Sequence, residues 1–350
     1  MSAAASAGDR ADGAAVVGVV VIGRNEGERL RRCLHSLGAD VRRAVYVDSG
    51  SQDDSVSFAR SLGALVVELD PQQPFTAARA RNAGFAALER ERPCEFVQFV
   101  DGDCELAAGW LLRAAAELRA DPDLAVVFGR RRERARAASI YNRLCDLEWD
   151  VPVGEALSCG GDALMRAAAL RQCGGFDPGR IAGEEPELCL RLRRGGFRIR
   201  RIDAEMTVHD AAMHRFGQWW RRTVRAGYVE AEGLAEHGRG YPRWRSALSN
   251  LVWAIGLPVV AAVLLVVGVH RDVLWLWLGA PVAAVLLYLR LWRRIRTTTR
   301  NRWGAADSAL YATFCVLGKW PATQGMLVWA WRRCVGARRR LIEYKEPAPR

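Results

Sequence analysis

The stretch "VVGVVVIGRNEGERLRRCLHSLGADVRRAVYVDSGS", residues 16–51, decides the fold. Val16–Ile22 is a continuous apolar run, mostly β-branched, of the kind expected for a strand covered on both faces. A polar turn, Gly23–Gly27, follows, and Glu28–Leu37 then spaces its apolar residues as a helix does. "RAVYV" gives a second strand, residues 49–62 a turn and helix, and "ALVVEL" a third strand. "FTAARARNAGFAALER" reads as a helix, "EFVQFV" as a fourth strand, then a helix near Trp110–Arg119 and a strand at "LAVVFG". Repeated β-α-β units predict an α/β chain with a mostly parallel, doubly wound, Rossmann-like sheet. Such sheets bind ligands beyond the C-terminal ends of their strands. Arg24–Asn25–Glu26, Asp48 and Asp101 all fall at such ends.

The 350 residues carry 51 Lys and Arg against 39 Asp and Glu, a net charge of +12. That excess fits nucleic acid, an anionic membrane face or acidic ligands. Its clusters flank apolar segments instead of forming a separate basic, aromatic-studded domain, which argues against nucleic acid. Most of the 13 Trp lie after residue 240, so they too belong to one region. The nine Cys include no C-x-x-C pair, which reads as reduced cytosolic thiols instead of a disulfide framework or a zinc site. Residues 1–14 have acidic groups and no apolar run, which reads as a short disordered tail and not a signal peptide.

Ala247–Val269 holds no charge over its length, enough to cross a bilayer core of about 30 Å at about 1.5 Å per residue. Val273–Leu289 extends through Trp292 if Arg290 snorkels, and only His270, Arg271 and Asp272 separate the two. A transmembrane hairpin over 247–292 is expected, with a buried soluble hairpin as the alternative. Basic flanks on both sides, including the 236–246 linker, keep the N-terminal domain cytoplasmic under the positive-inside rule. In Ser308–Trp331, Lys319 and Pro321 interrupt the apolar pattern, so this part of a basic 293–350 segment reads as interfacial or re-entrant. The Arg-rich tail that follows suits anionic headgroups.

Asp101 and Asp103 flank Gly102 at a strand end. Two hard oxygen ligands on one side of a tight turn suit Mg²⁺ or Mn²⁺ shared with substrate phosphates. Two solvated turn aspartates are the plainer alternative.

Taken in order, "VVIGRNEGERLRRCLHSL", "VYVDSGSQDDSVSFARSLGA", "AARARNAGFAAL", "FVQFVDGDCEL" and "AGEEPELCLRLRRGGFRI" resemble the family 2 glycosyltransferases, inverting enzymes of the GT-A fold, over residues 16 to 230. The resemblance implies a GT-A catalytic domain over 15–235 and a nucleotide-sugar donor. It assigns Asn25 and Glu26 to the nucleotide pocket and Asp48 to the base, with Ser49 where relatives have a second acid. Arg81 and Asn82 fall near the diphosphate. Asp103 becomes the direct metal ligand, Asp101 the ribose-side acid that also serves the metal, and His209 the residue completing the metal sphere. In "GEEPELC", the catalytic base of relatives falls on Glu185, one methylene longer than their Asp, with Glu184 as its competitor. Carboxylates stabilising a helix N-terminus are the simpler account of that cluster. Gly160 and Gly161 fall on the acceptor side. Gln218 and Arg221, placed on the acceptor side too, match part of the Q-x-x-R-W motif of processive synthases, but Arg222 stands in place of the Trp.

The expectation is an inverting hexosyl transfer from a nucleotide-sugar, UDP-linked by resemblance, aided by a divalent cation. The acceptor would be lipid-linked or a polysaccharide, at the inner membrane. A polyprenyl-phosphate monoglycosyltransferase and a non-catalytic nucleotide-sugar-binding scaffold are the alternatives.

Overall fold

The computed structural model describes residues 16–336. The expected disordered tail and the Arg-rich end beyond 336 lie outside the described residues. β1 (Val17–Gly23) leads through α1 (Glu28–Ser36) to β2 (Ala44–Asp48), and α2 (Ser55–Ser61) leads to β3 (Leu65–Glu68). α3 (Ala77–Glu91) starts at a Thr76 cap, whose hydroxyl accepts from the Arg79 amide at 3.1 Å, and leads to β4 (Phe96–Asp101). These four strands pair in parallel in the order β3-β2-β1-β4. Val19, Val20, Val21, Val45, Val47 and Phe99 are fully buried, because helices cover both faces of this half. α3 presses onto it closely: a methyl group on Gly84 would lie 2.4 Å from Val20 Cγ1.

The second half is mixed. β5 (Cys104–Leu106), α4 (Trp110–Ala120), β6 (Leu124–Glu133), α5 (Ile140–Trp149) and β7 (Gly154–Glu155) come first. β8 (Ala163–Arg166), α6 (Ala167–Gln172), α7 (Glu184–Arg194) and β9 (Arg198–His209) follow. β8 inserts antiparallel between β4 and β6, β9 runs parallel to β6, and β5 pairs antiparallel with β9 at the far edge. Only Gly102 and Asp103 separate β4 from β5. So short a link cannot make the crossover that a parallel neighbour needs, and the chain leaves the β4 line to pair elsewhere.

α8 (Phe216–His237) runs without a break to the start of the basic linker, and α9 (Trp244–Leu251) begins inside it. α9 continues into α10 (Leu257–His270), which turns back into α11 (Leu274–Leu317), where the Val273 amide donates to Gly268 O at 2.7 Å. Two helical stretches, Trp244–His270 and Leu274–Cys334, are long and apolar enough to cross a membrane, and almost none of either apolar window is buried. Val259, Val263, Val266 and Trp275 stand exposed on the hairpin. A soluble core helix would have covered them.

α11 breaks at Gly304, whose φ of 78° is left-handed. Beyond the break the chain returns to the α/β half, and α12 (Lys319–Cys334) follows. The segment expected to be interfacial or re-entrant is thus a packed wall. Phe314 meets Trp219 edge-on at 4.8 Å and Tyr141 at 5.8 Å. Asp307 pairs with Arg136 and Arg143, and Asp150 accepts from Arg302 and the Trp303 indole. α12 lies along α8 through small residues: a methyl on Gly325 would sit 1.9 Å from Val224 O, and one on Gly227 1.9 Å from Ala322 O. Pro321 falls in the first turn of α12, where its missing N–H breaks no helical bond.

Candidate active site

The C-terminal ends of β1, β2 and β4 open into one cleft of about 610 Å³. Asn25, in a left-handed turn (φ 54°), locks two loops together. Its amide donates to Ser51 Oγ at 2.9 Å, and its Oδ1 accepts from the Gln52 amide at 2.7 Å. Asp48 is buried, and both of its carboxylate oxygens are engaged. Oδ1 accepts from the Tyr46 hydroxyl at 2.9 Å, and Oδ2 from the Gly50 and Ser51 amides at 2.9 and 2.8 Å. Burial and the Asp48 charge push the Tyr46 phenol well up, so it remains a donor. Asp48 therefore shapes the turn, while Ser49 beside it and Glu26 line the cleft.

Arg81 is the hub. Its Nη1 donates to Glu184 Oε1 at 2.6 Å and its Nη2 to Asp101 Oδ1 at 2.7 Å. Burial opposes its charge, but Asp101 and Glu184 outweigh burial and hold the guanidinium firmly protonated. Burial pushes the Asp101 carboxyl up; Arg81 opposes this, and Asp162 and Asp103 add to it. Asp162, itself fully buried, accepts from the Asp101 amide at 3.0 Å and from Thr207 Oγ1 at 3.0 Å, and forms an ion pair with Arg131 at 2.8 Å. Asn82, next to Arg81, points elsewhere: it pins Phe176, accepting from its amide at 2.9 Å and donating to its carbonyl at 2.7 Å.

The β5–β9 pairing sets Cys104 opposite His209. That register brings His209 Nε2 to 3.5 Å from Asp103 Oδ1, with both residues buried at the cleft floor. Trp149 stands edge-on to the imidazole at 4.7 Å. The Asp103, Cys104 and His209 donor atoms all lie within 4.8 Å of one another. Asp103 and His209 fit a divalent cation of the Mg²⁺ or Mn²⁺ kind, whereas Asp101 groups with Cys104 and Asp162 and is engaged by Arg81. The Cys104 thiol, which burial pushes well up, stays a filler.

Glu184 and Glu185 open α7. Gly183, left-handed at φ 76°, caps them tightly: a methyl there would lie 2.3 Å from Val229 Cγ1 of α8. Glu184 turns toward Arg81. Glu185 Oε1 accepts from the Cys159 amide at 2.5 Å and from the Cys189 thiol at 3.1 Å. Both glutamates line a second cavity, of about 760 Å³, which Glu185 alone of the pair faces without also lining the cleft. The two spaces meet at Trp149, Gly161, Glu184, Arg222 and Arg225. Gly161 has no room for a side chain, since a methyl would lie 2.7 Å from Asp101 Oδ2. From that neck the second cavity runs to Tyr311, Phe314 and Lys319 on α11 and α12.

Three of the four residues expected on the acceptor side, Gly160, Gln218 and Arg221, line neither space; Gly160 faces open room on its loop. Gln218 is spent at the start of α8, its Oε1 accepting from the His214 and Arg215 amides at 2.8 and 3.0 Å. Arg221 is exposed. One position on, Arg222 turns into the neck and pairs with Glu148, and Arg225, one helical turn later, joins it. The i, i+3 spacing of Arg222 and Arg225 was the available signal. Arg131, Trp149, Asp162 and Lys319 had none, because only long-range pairing brings them in.

Residues 18–150 match the family described as Glycosyl transferase family 2. The chain is 31% identical over 207 residues to a "Pre-mycofactocin glycosyltransferase" of Mycobacterium tuberculosis, a match spanning 55% of this chain and 42% of that protein. It thus spans less than half the length of that relative. Among solved structures it resembles a mannosyltransferase from Pyrobaculum calidifontis, solved with GDP-Man and Mn²⁺. That likeness has a TM-score of 0.56 at 17% identity and covers 92% of this chain and 89% of the other. At that identity it speaks for the fold. With strand-end motifs in the expected order, a GT-A sheet and a family match over residues 18–150, that part of the chain is a family 2 glycosyltransferase domain.

Proposed function

We propose that this protein transfers a sugar, with inversion, from a nucleotide-sugar in the Asp101–Asp103 cleft to a hydroxyl of a membrane-associated acceptor in the adjoining cavity. The wall that cleft and cavity share at Gly161 and Glu184 carries the proposal. It lets two substrates meet beside a carboxylate while entering from different sides.

The donor lies against the β1, β2 and β4 ends, near Glu26 and Ser49, with its diphosphate toward Asp101 and Asp103. Its base is assigned to uracil on the family resemblance. Asp103 and His209 would hold a divalent cation, which supplies positive charge to the departing diphosphate. Arg81 fixes Asp101 and Glu184 relative to each other. Glu185 takes the proton of the acceptor hydroxyl as that oxygen attacks the anomeric carbon. The glycosidic oxygen on the opposite face leaves with the nucleotide diphosphate. Its contacts suit this role: the Cys159 amide and the Cys189 thiol are neutral donors that orient it, whereas Glu184 is tied to a guanidinium.

The charge on the cavity wall separates the two acceptor classes. Arg222, Arg225, Arg243 and Lys319 are matched there by Glu148, Glu184, Glu185 and Glu230. A wall so balanced offers no excess field for a phosphate, and it favours a neutral hydroxyl that needs a base. α10 and the first half of α11 would anchor the chain in the inner membrane. The catalytic domain, residues 15–235, would face the cytoplasm, as in assembly of a polysaccharide or cell-envelope glycan.

The test uses the purified full chain in detergent. Nucleotide release from a panel of nucleotide-sugars is followed with Mn²⁺, with and without a lipid extract. Lipid-stimulated release that Glu185→Gln reduces by about 10²-fold or more is expected. Full activity of Glu185→Gln would point instead to a phosphate acceptor. Nucleotide binding without release of sugar would point to a scaffold.

A further inference from the structure

Beside the glycosyl-transfer site lies a group of side chains with a different chemistry. Cys159 sits on the loop before β8, while Glu185 and Cys189 share one face of α7 at i and i+4. Cys159 Sγ and Cys189 Sγ are 3.7 Å apart, and Cys189 Sγ is 3.1 Å from Glu185 Oε1. The three donor atoms lie within 4.8 Å of one another, and all three residues are buried. Two thiolates on one tetrahedral Zn²⁺, each about 2.3 Å from the metal, stand about 3.8 Å apart. The sulfurs need hardly move to reach that separation. The donor set is soft, two sulfurs and one oxygen, unlike the harder Asp103–His209 set. Glu185 also lines the 760 Å³ cavity, so one of the three ligands borders open space.

We propose that Cys159, Cys189 and Glu185 form a binding site for a thiophilic divalent cation, Zn²⁺ in particular, that withdraws Glu185 from proton transfer. Binding forms two Zn–S bonds and one Zn–O bond. It releases the two thiol protons to solvent and leaves a complex of net charge −1. Without metal both thiols are protonated: burial pushes Cys189 up to about 11 and Cys159 well up, and the Glu185 charge adds to it. The cation overrides this because a coordinated thiol gives up its proton. The sequence pattern hid such a site, since its ligands come from a loop and a helix about 30 residues apart and no C-x-x-C marks them. That Zn²⁺ would inhibit transfer rests on Glu185 being the base; the binding itself does not.

Co²⁺, a spectroscopic stand-in for Zn²⁺, is titrated into the full chain in detergent with a non-thiol reductant and no sugar donor. A thiolate-to-Co²⁺ charge-transfer band is expected at one ion per chain. Zn²⁺ should abolish it, Asp103→Ala should retain it, and Cys159→Ser and Cys189→Ala should each lose it while keeping the wild-type circular dichroism. A missing band in the wild type, or one that survives in both cysteine variants, overturns the proposal. In parallel, Zn²⁺ added over saturating Mn²⁺ should inhibit transfer by the wild type. A band that titrates normally while transfer continues unabated would uphold the metal site and remove Glu185 from the base role.

Discussion

The strand-end cleft and the helix-lined cavity, proposed to hold donor and acceptor, share lining residues but are built in opposite ways. The cleft is made of strand-end turns close in sequence: Asn25 bonds to Ser51 and Gln52, and Asp48 to Gly50 and Ser51. The cavity is made of helices far apart in the chain. Glu185, Arg222, Asn250 and Lys319 come from four different elements. A turn-built site is held by backbone hydrogen bonds that short motifs encode. A helix-built site is held by packing, which a single motif cannot encode. The cleft should therefore tolerate damage to the C-terminal helices, and the cavity should not.

The largest effect falls on the cleft. Asp103→Ala removes a proposed metal ligand, and a loss of several kcal/mol in transition-state stabilisation amounts to about 10³-fold in rate. Donor hydrolysis and transfer to acceptor should fall together. A variant that lost only transfer would break the division of labour between the two regions.

Next is the α8–α12 seam. Gly325→Val would force a side chain to where Val224 O lies 1.9 Å from the position of Cβ, and backbone cannot give way cheaply. The helices must part, opening the cavity wall. Transfer should fall by about 10-fold or more, since misplacement of about 1 Å can cost about 10²-fold. Acceptor-independent hydrolysis should stay within about twofold. Equal losses in both assays would show that the cavity is not a separate acceptor space.

The contrast also accounts for what could be read beforehand. Strands β1 to β4, their helices and the order of the strand-end residues were legible, because each repeats a local pattern of apolar run, polar turn and amphipathic helix. The His209 position was legible only through the family resemblance; no pattern in the chain says that a three-residue β5 will cross to β9. Ser308–Trp331 was legible as helix-like but not as a wall of the site. Its contacts, Phe314 on Trp219 and Gly325 on α8, join residues about 100 positions apart. Lys319 and Pro321 looked like interruptions of a membrane segment, whereas Lys319 donates to Ser249 Oγ and Asn250 Oδ1 within the cavity wall.

Asn82 tests the same point within one motif. Its neighbour Arg81 serves the cleft, but Asn82 holds the loop at Phe176 through two hydrogen bonds. Asn82→Ala should lower stability by about 1–3 kcal/mol, the cost of leaving such groups unpaired. Denaturant unfolding reads that loss, and nucleotide affinity of the folded protein should change little. A tenfold weaker nucleotide affinity with unchanged stability would return Asn82 to the diphosphate.

The smallest effect is expected at Arg221, where resemblance and geometry part most plainly. The incomplete Q-x-x-R-W pattern points to Arg221, yet that side chain is exposed and lines neither space. Arg222 occupies the neck and pairs with Glu148. Successive helical residues lie about 100° apart, and that turn takes Arg222 into the neck while Arg221 stays in solvent. Arg221→Gln should leave transfer within about twofold and stability within about 0.5 kcal/mol, as for a surface change. Arg222→Gln should lower transfer by about 10-fold while leaving donor hydrolysis nearly intact, a loss of about 1.4 kcal/mol at the transition state. If the two variants exchanged these outcomes, α8 would present its other face to the acceptor, and the neck described here would not be the passage between the substrates.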